Sequence, residues 1–216
     1  LLVAPAHAAM GKLDRALQDL DLASRLLGES PDPLFQCGLL KTRSLVCHQA
    51  GDREEMIQAA REAMNLAMEY GYHYETAVNA HNLGEFYIRL GDHKRAFVAL
   101  RFSHEVASEH GYTRLQWLNV CLLGFLDAIG LGQDQARERM QRAIRYAEQR
   151  GYVWDTMGEK YLLAMVEQKR GDPEAAARAL RSVIELAEQH GHDRLADDAG
   201  KALQAVGEGM AIESPR

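Results

Sequence analysis

The chain has 216 residues, of which 47% are hydrophobic, 26% charged and 7% aromatic, and its formal net charge is -6. This acidic balance argues against a nucleic-acid-binding surface, because phosphate contacts need clustered Lys and Arg, and no apolar run approaches the roughly 20 residues of a membrane-spanning helix. The richness in Ala, Leu, Glu, Gln and Arg predicts an all-α protein, and three cysteines without a paired framework predict a reducing, cytoplasmic location.

Glycines recur at an interval of forty residues along the chain. Gly71, Gly111, Gly151 and Gly191 each follow a stretch with apolar residues at helical spacing, and a tyrosine or histidine comes next. Glycine adopts the left-handed conformation at the end of a helix without a side-chain clash. The pattern therefore predicts that a helix stops at each of these glycines.

A second recurring turn signal, a glycine followed by an aspartate, lies twenty residues away. It occurs at Gly51-Asp52, Gly91-Asp92 and Gly171-Asp172, with the variant 131–134 in the third unit. An Asp after the glycine can accept hydrogen bonds from the free N–H groups of the next helix. Pro173 stands at the first helical position, where proline is tolerated. Each forty-residue unit is therefore predicted to be two antiparallel helices joined by tight turns.

This punctuation divides the chain into predicted elements. In chain order they are a partial repeat at 1–30, full repeats at 33–70, 73–110, 113–150 and 153–190, a capping helix at 193–206 and a flexible tail at 208–216. The chain opens inside a repeat, so we expect it to be a fragment of a longer protein. A truncated first repeat exposes an apolar face, which favours a homodimer through that end.

The stretch from Ala80 to Tyr87 and the turn Gly91-Asp92 resemble a tetratricopeptide (TPR) repeat. Gly84, Tyr87, Ala96 and Ser103 match the family's small, aromatic, alanine and second small positions. The period of forty exceeds the usual 34. In this respect the chain is similar to the longer TPR variety of bacterial maltose-regulator-type transcription activators and of Pins-like adaptors.

Other units depart from the pattern, since Asp127 and Glu167 replace the aromatic residue and Arg43 replaces a leucine. HEAT and armadillo repeats are the structural alternative, because their period is also near forty. They usually carry a proline in the first helix, which units two to four lack. The TPR resemblance implies an all-α, right-handed superhelical solenoid of antiparallel helix pairs, with about 4.5 repeats and a capping helix.

The resemblance also implies a partner-binding groove lined by the first helix of each unit. By register, the predicted groove residues are Lys41, His48, His81, Asn82, Glu85, Arg89, Leu118, Leu122, Phe125, Tyr161, Met165 and Lys169. Thr42, Leu45, Gln49, Cys121, Ile129, Leu162 and Gln168 are predicted to face the same side. The groove is polar at one end and apolar at the other. It suits an amphipathic helix or an extended peptide with one or two acidic groups, with Phe125 and Tyr161 as hot spots.

The stretch QWLNVCLLGFLDAIG, at 116–130 in the third unit, is apolar nearly all round. Two interpretations remain open. Neighbouring helices pack around it as core, or it offers an anchor pocket to a partner. Its central thiol, Cys121, is predicted to be buried.

The sequence carries no recognisable catalytic, cofactor or metal motif. Nine histidines are present, but none has the spacing of a zinc-binding helix. His81 and Glu85 form the one candidate catalytic pair, and such a pair is more often a helix-surface contact. We therefore expect no enzyme, no cofactor and no metal.

These patterns predict a non-catalytic protein–protein interaction module in a larger regulatory or signalling protein, of bacterial source. Its partner is a protein, a peptide or a flanking domain of the same chain, without nucleic acid or membrane. The alternative is a ligand- or peptide-sensing domain that controls an attached effector, as the resemblance to transcription activators implies.

Overall fold

The computed structural model describes residues 4, 7, 8, 10, 12–28, 32–131 and 134–213. All regular secondary structure in these residues is helical, so the all-α prediction is confirmed. The helices are α1 (Leu13–Leu27), α2 (Pro33–Ala50), α3 (Arg53–Glu69), α4 (His73–Arg89), α5 (His93–Glu109), α6 (Thr113–Leu131), α7 (Asp134–Gln149), α8 (Val153–Lys169), α9 (Pro173–Gln189) and α10 (Asp193–Gly207).

The chain folds into two compact units, Leu1–Gln116 and Trp117–Arg216. In unit 1, each helix from α1 to α5 packs against the next, and α2 also contacts α4. In unit 2, α7, α8, α9 and α10 pack in the same successive way. The single array through residue 207 stays a prediction, and each unit is described by itself below.

Left-handed glycines end the helices where the sequence predicts. The φ angle is +68° at Gly71, +72° at Gly111, +68° at Gly151 and +70° at Gly191. At the first of these turns, the amide of Gly71 donates to the carbonyl of Met68 at 3.2 Å, and the amide of Tyr72 donates to that of Ala67 at 2.8 Å. This pair of bonds is the Schellman motif, which satisfies carbonyl groups that the helix end leaves free.

Aspartates cap the starts of the second helices. Asp52 accepts a hydrogen bond from the amide of Glu55 at 3.1 Å, and Asp172 accepts one from Ala175 at 2.8 Å. Pro173 is the first residue of α9, as predicted. The corresponding turn of the repeat at 113–150, at positions 132 and 133, lies outside the described residues.

Small residues let paired helices approach closely. Ser44, Gly84, Gly124 and Ala164 occupy the same place in successive forty-residue repeats, and all are buried. A β-carbon on Gly124 would lie 2.9 Å from Cγ of Met140 and 3.0 Å from the carbonyl oxygen of Ala136. The bare backbone of Gly124 therefore sets the distance between α6 and α7.

The end of unit 2 differs from the predicted flexible tail. Helix α10 is followed by another left-handed glycine, Gly209, with φ of +71°. The amide of Met210 donates to the carbonyl of Ala205 at 2.8 Å, which completes the same Schellman stop. This stop turns the chain back, and Ile212 joins the core of unit 2 with 7% of its surface exposed. We call residues 208–213 the return segment, whereas 214–216 lie outside the described residues.

Candidate peptide-binding surfaces

In unit 1, the predicted groove residues of α2 are engaged by α4. The ammonium group of Lys41 lies 2.6 Å from a carboxylate oxygen of Glu75. The ring of His48 lies against that of Phe86, with centroids 5.4 Å apart. Since Glu75 compensates its charge, Lys41 is less available to a carboxylate of a partner than the sequence suggests.

Three of the solvent-accessible groove residues of unit 1 lie on α4. His81 is buried with 8% exposed, whereas Asn82 and Glu85 are half-buried and Arg89 is exposed. Residues three, four and seven positions apart share one face of a helix. Asn82, Glu85 and Arg89 therefore form a stripe that carries an amide, a carboxylate and a guanidinium group; we call it the α4 stripe.

In unit 2, the groove residues of α6 are largely core. Leu122 and Phe125 are 6% and 3% exposed, and Leu118 is half-buried. Cys121 is fully buried as predicted, and burial raises the pKa of its thiol well above the usual range. Burial favours the core interpretation of the apolar stretch, and the hot-spot role of Phe125 has no exposed surface to support it.

The groove residues of α8 face the return segment. The hydroxyl of Tyr161, 2% exposed, donates a hydrogen bond to the backbone carbonyl of Glu213 at 2.8 Å. Burial, together with the nearby carboxylates of Asp198 and Glu213, raises the pKa of Tyr161 to about 12, so the hydroxyl keeps its proton. Met165 is half-buried, and Lys169 donates to the carbonyl of Ile129 near the end of α6.

Gln168 makes two further contacts to the return segment. Its side-chain nitrogen donates to the backbone carbonyl of Met210, and its side-chain oxygen accepts from the amide of Ile212 at 2.8 Å. One amide thus pairs with the two backbone groups on either side of Ala211. A residue of a parallel β-strand pairs with its neighbour in this way. Side chains of α8 therefore hold a stretch of polypeptide by its backbone.

A cavity of about 450 Å³ opens beside this contact. It lies between α8, α10 and the return segment. Its lining residues include Tyr161, Asp198, Lys201, Ala202 and Met210. The carboxylate of Asp198 and the ammonium of Lys201, 4.0 Å apart, give it one charge of each sign.

A buried acidic pair on the same helix was not identified from the sequence. Asp155 and Glu159 lie one turn apart on α8 and are 8% and 5% exposed. One carboxylate oxygen of Glu159 has no hydrogen-bond partner in the described part of the chain. Burial, with the charges of Asp155 and Glu148, raises the pKa of Glu159 to about 8.

The acidic pair lacks the other ligands of a metal site. Over the described ranges, no group of three or more His, Cys, Asp or Glu side chains is placed to hold a metal ion. The three cysteines, Cys37, Cys47 and Cys121, are buried and free of disulfides. No helix in this part of the chain has both the length and the apolar character needed to cross a bilayer.

Comparison with known proteins defines the fold. No protein-family model and no curated protein sequence matches this chain. Chains of solved structures do match, and one is the crystal structure of the apo form of RapI. That match has a TM-score of 0.73 and 17% identity, and covers 95% of this chain and 74% of the other. The likeness shows a TPR-like helical-repeat fold, and the forty-residue variety stays a prediction.

Proposed function

We propose that this protein is a non-catalytic interaction module that binds a peptide or helix of a partner on the first helices of its repeats. The observation that supports this proposal is the contact on α8. There, Tyr161 and Gln168 hold a segment of polypeptide through three backbone groups. Backbone hydrogen bonds supply affinity in many peptide-binding domains, and pockets for side chains supply specificity.

The α4 stripe is the second surface on which the proposal depends. Asn82 and Glu85 are half-buried, so each residue keeps part of its surface accessible to solvent. Arg89 beside them is exposed and adds a positive charge to this surface. A peptide with one or two acidic side chains fits this stripe.

The experiment is selection of a displayed random peptide library on the purified chain. We expect enriched peptides to bind the unmodified chain and to lose about tenfold or more in affinity for Asn82→Ala/Glu85→Ala, since each lost contact contributes about 1 kcal/mol. The matched control is Arg101→Ala/Glu105→Ala, which removes an exposed ion pair on α5. Equal loss in both variants, or no enriched peptide, would contradict peptide binding on the α4 stripe.

A second candidate is a sensing domain for a small molecule, because unit 2 contains the 450 Å³ cavity. Ligand pockets commonly have volumes of about 300 to 1,000 Å³. A ligand there would contact both α10 and the return segment. Compounds that raise the melting temperature of the chain, but not that of Lys201→Ala, would support this function.

We also propose a cytoplasmic setting within a larger regulatory or signalling protein of a bacterium, without direct contact to nucleic acid. The buried free thiols support the cytoplasmic setting, and the net charge of -6 supports the absence of contact with nucleic acid. Self-association through the first repeat is supported by Leu22 and Leu26 on α1, which are 55% and 79% exposed. Sedimentation of Leu22→Ser/Leu26→Ser beside the unmodified chain tests the dimer.

A further inference from the structure

We propose that the return segment is an intramolecular occupant of the peptide site on α8. The partner that this site accepts is an extended peptide with an aliphatic side chain at the position of Ile212. A partner binds by displacing the return segment, so the chain regulates access to its own site. This inference rests on the proposed function, because it takes α8 to be a surface for partner peptides.

The path of the chain places the segment on α8. Gly209 stops α10 in the left-handed conformation, and the amide of Met210 is bonded back to Ala205. From this stop, four residues bring the backbone along α8 to the carbonyl of Glu213, which accepts from Tyr161. The segment therefore follows α10 without a linker.

The hydrogen bonds from α8 are made to backbone groups of the segment rather than to its side chains. Gln168 pairs with the carbonyl of Met210 and the amide of Ile212, and Tyr161 pairs with the carbonyl of Glu213. Every non-proline residue offers these groups. Another peptide in the same conformation can therefore make all three bonds.

Ile212 is the one side chain of the return segment that is buried. Ile212 is 7% exposed and belongs to the apolar cluster that contains Tyr161, Ala202 and Val206. Met210 is 52% exposed, and Ala211 and Glu213 are also exposed. The site therefore selects an aliphatic residue at one position and tolerates variation on both sides of it.

The corresponding helix of unit 1 lacks this arrangement. Eighty residues earlier in register, His81 stands in the place of Tyr161 and Ile88 in the place of Gln168. Isoleucine has no polar group that could pair with a peptide backbone. The occupant is thus matched to α8 by residues that do not recur on α4.

Intramolecular occupancy weakens the apparent affinity for a partner. A segment held next to its site by a short connection competes at an effective concentration in the millimolar range. A partner must displace this competitor. Its apparent Kd is therefore the intrinsic Kd divided by the fraction of chains in which the site is free. Releasing the segment removes that penalty.

The test uses a fluorescein-labelled synthetic peptide with the sequence of 208–213 and capped ends, titrated with the full chain by fluorescence polarisation. We expect Ile212→Asp, which releases the segment, to bind the peptide at least about tenfold more tightly than the unmodified chain. The control is Met210→Ser, at an exposed position of the same segment, which should bind like the unmodified chain. A peptide carrying Asp in place of Ile should bind neither.

Two further measurements keep the test decisive. Adding Gln168→Leu to Ile212→Asp should abolish the gain, and circular dichroism reports whether each variant is folded. In the unmodified chain, saturating peptide should speed hydrogen exchange at the amide of Ile212, since that amide is bonded to Gln168 only while the segment is bound. This exchange measurement decides the matter if Ile212→Asp fails to fold.

The inference is wrong if folded Ile212→Asp binds the peptide no more tightly than the unmodified chain, or not at all. It is equally wrong if the amide of Ile212 stays protected while the peptide is bound. If the labelled peptide fails these tests while library peptides still bind through the α4 stripe and respond to Asn82→Ala/Glu85→Ala, only this inference is removed and the proposed function stands.

Discussion

Gly84 on α4 and Leu100 on α5 lie so close together that a β-carbon on Gly84 would overlap the side chain of Leu100. Leu100 is fully buried, so it has little room to move. We expect Gly84→Ala to lower the free energy of unfolding by about 1 to 3 kcal/mol, the usual cost of overpacking a core. Chemical denaturation measures this change.

The control for that substitution is Gly158→Ala on α8. Nothing lies within 4 Å of a β-carbon added there, and Gly158 itself is exposed although its neighbours Met157 and Glu159 are buried. Replacing such a glycine by alanine stabilises a helix by about 0.5 to 1 kcal/mol. Opposite signs for the two variants identify close helix packing at Gly84, and equal effects would contradict it.

The stop at Gly111 gives a second prediction. Its φ of +72° lies in the left-handed region, which residues with a side chain adopt only at a cost of about 1 to 2 kcal/mol. Gly111→Val should therefore destabilise unit 1 by at least this amount, because valine is β-branched as well. Glu109→Val, an exposed position of the same turn, is the control. An unchanged melting temperature for Gly111→Val would refute the role of this glycine.

Phe125 gives a third prediction, on whether α6 is core. Phe125 is 3% exposed, so its truncation to Ala should lower the free energy of unfolding by about 3 to 5 kcal/mol. Phe35→Ala, at a residue that is 58% exposed, should change it by about 0.5 kcal/mol or less. If Phe125→Ala melts like the unmodified chain and loses a peptide that the unmodified chain binds, Phe125 is a groove residue after all.

Glu159 gives a prediction about pH. Burial first, and the neighbouring carboxylates second, raise its pKa from 4.5 to about 8, so the native state holds this proton more tightly than the unfolded chain does. The stabilising contribution of protonated Glu159 is complete below pH 4.5 and is lost as the pH rises towards 8. Glu159→Gln should therefore gain stability over the unmodified chain between pH 5 and pH 9.

The control at both pH values is Glu185→Gln, at an exposed position of α9. It should follow the unmodified chain throughout. A Glu159→Gln variant whose stability runs parallel to that of the unmodified chain would show that Glu159 is solvated in solution.

The helix stops were predictable because they are made locally. The bonds that end α3 join Gly71 and Tyr72 to residues at most five positions earlier, so the sequence signal and the structure occupy the same few residues. The end of α10 was harder to place, since Gly207 and Gly209 both follow the last apolar turn. The true stop is Gly209, which a bulky residue follows, as a tyrosine follows Gly71.

The candidate site was predictable only in part. Register placed Tyr161 and Gln168 on the first-helix side of their unit, but no local pattern indicates which segment lies against them. The bond from Tyr161 to Glu213 spans 52 residues of chain. Burial of Glu159 was also hidden, because a charged residue next to Lys160 reads as a solvated surface.

The succession of helix contacts has a consequence for how the protein folds. In each unit, most of the helix contacts join elements that follow one another along the chain, and proteins rich in such short-range contacts fold within microseconds to milliseconds. The bond between Tyr161 and Glu213 must close a much longer loop, which costs more entropy. We therefore expect α8 and α9 to pair first and Ile212 to dock last, so that the proposed peptide site on α8 is briefly vacant each time the chain refolds.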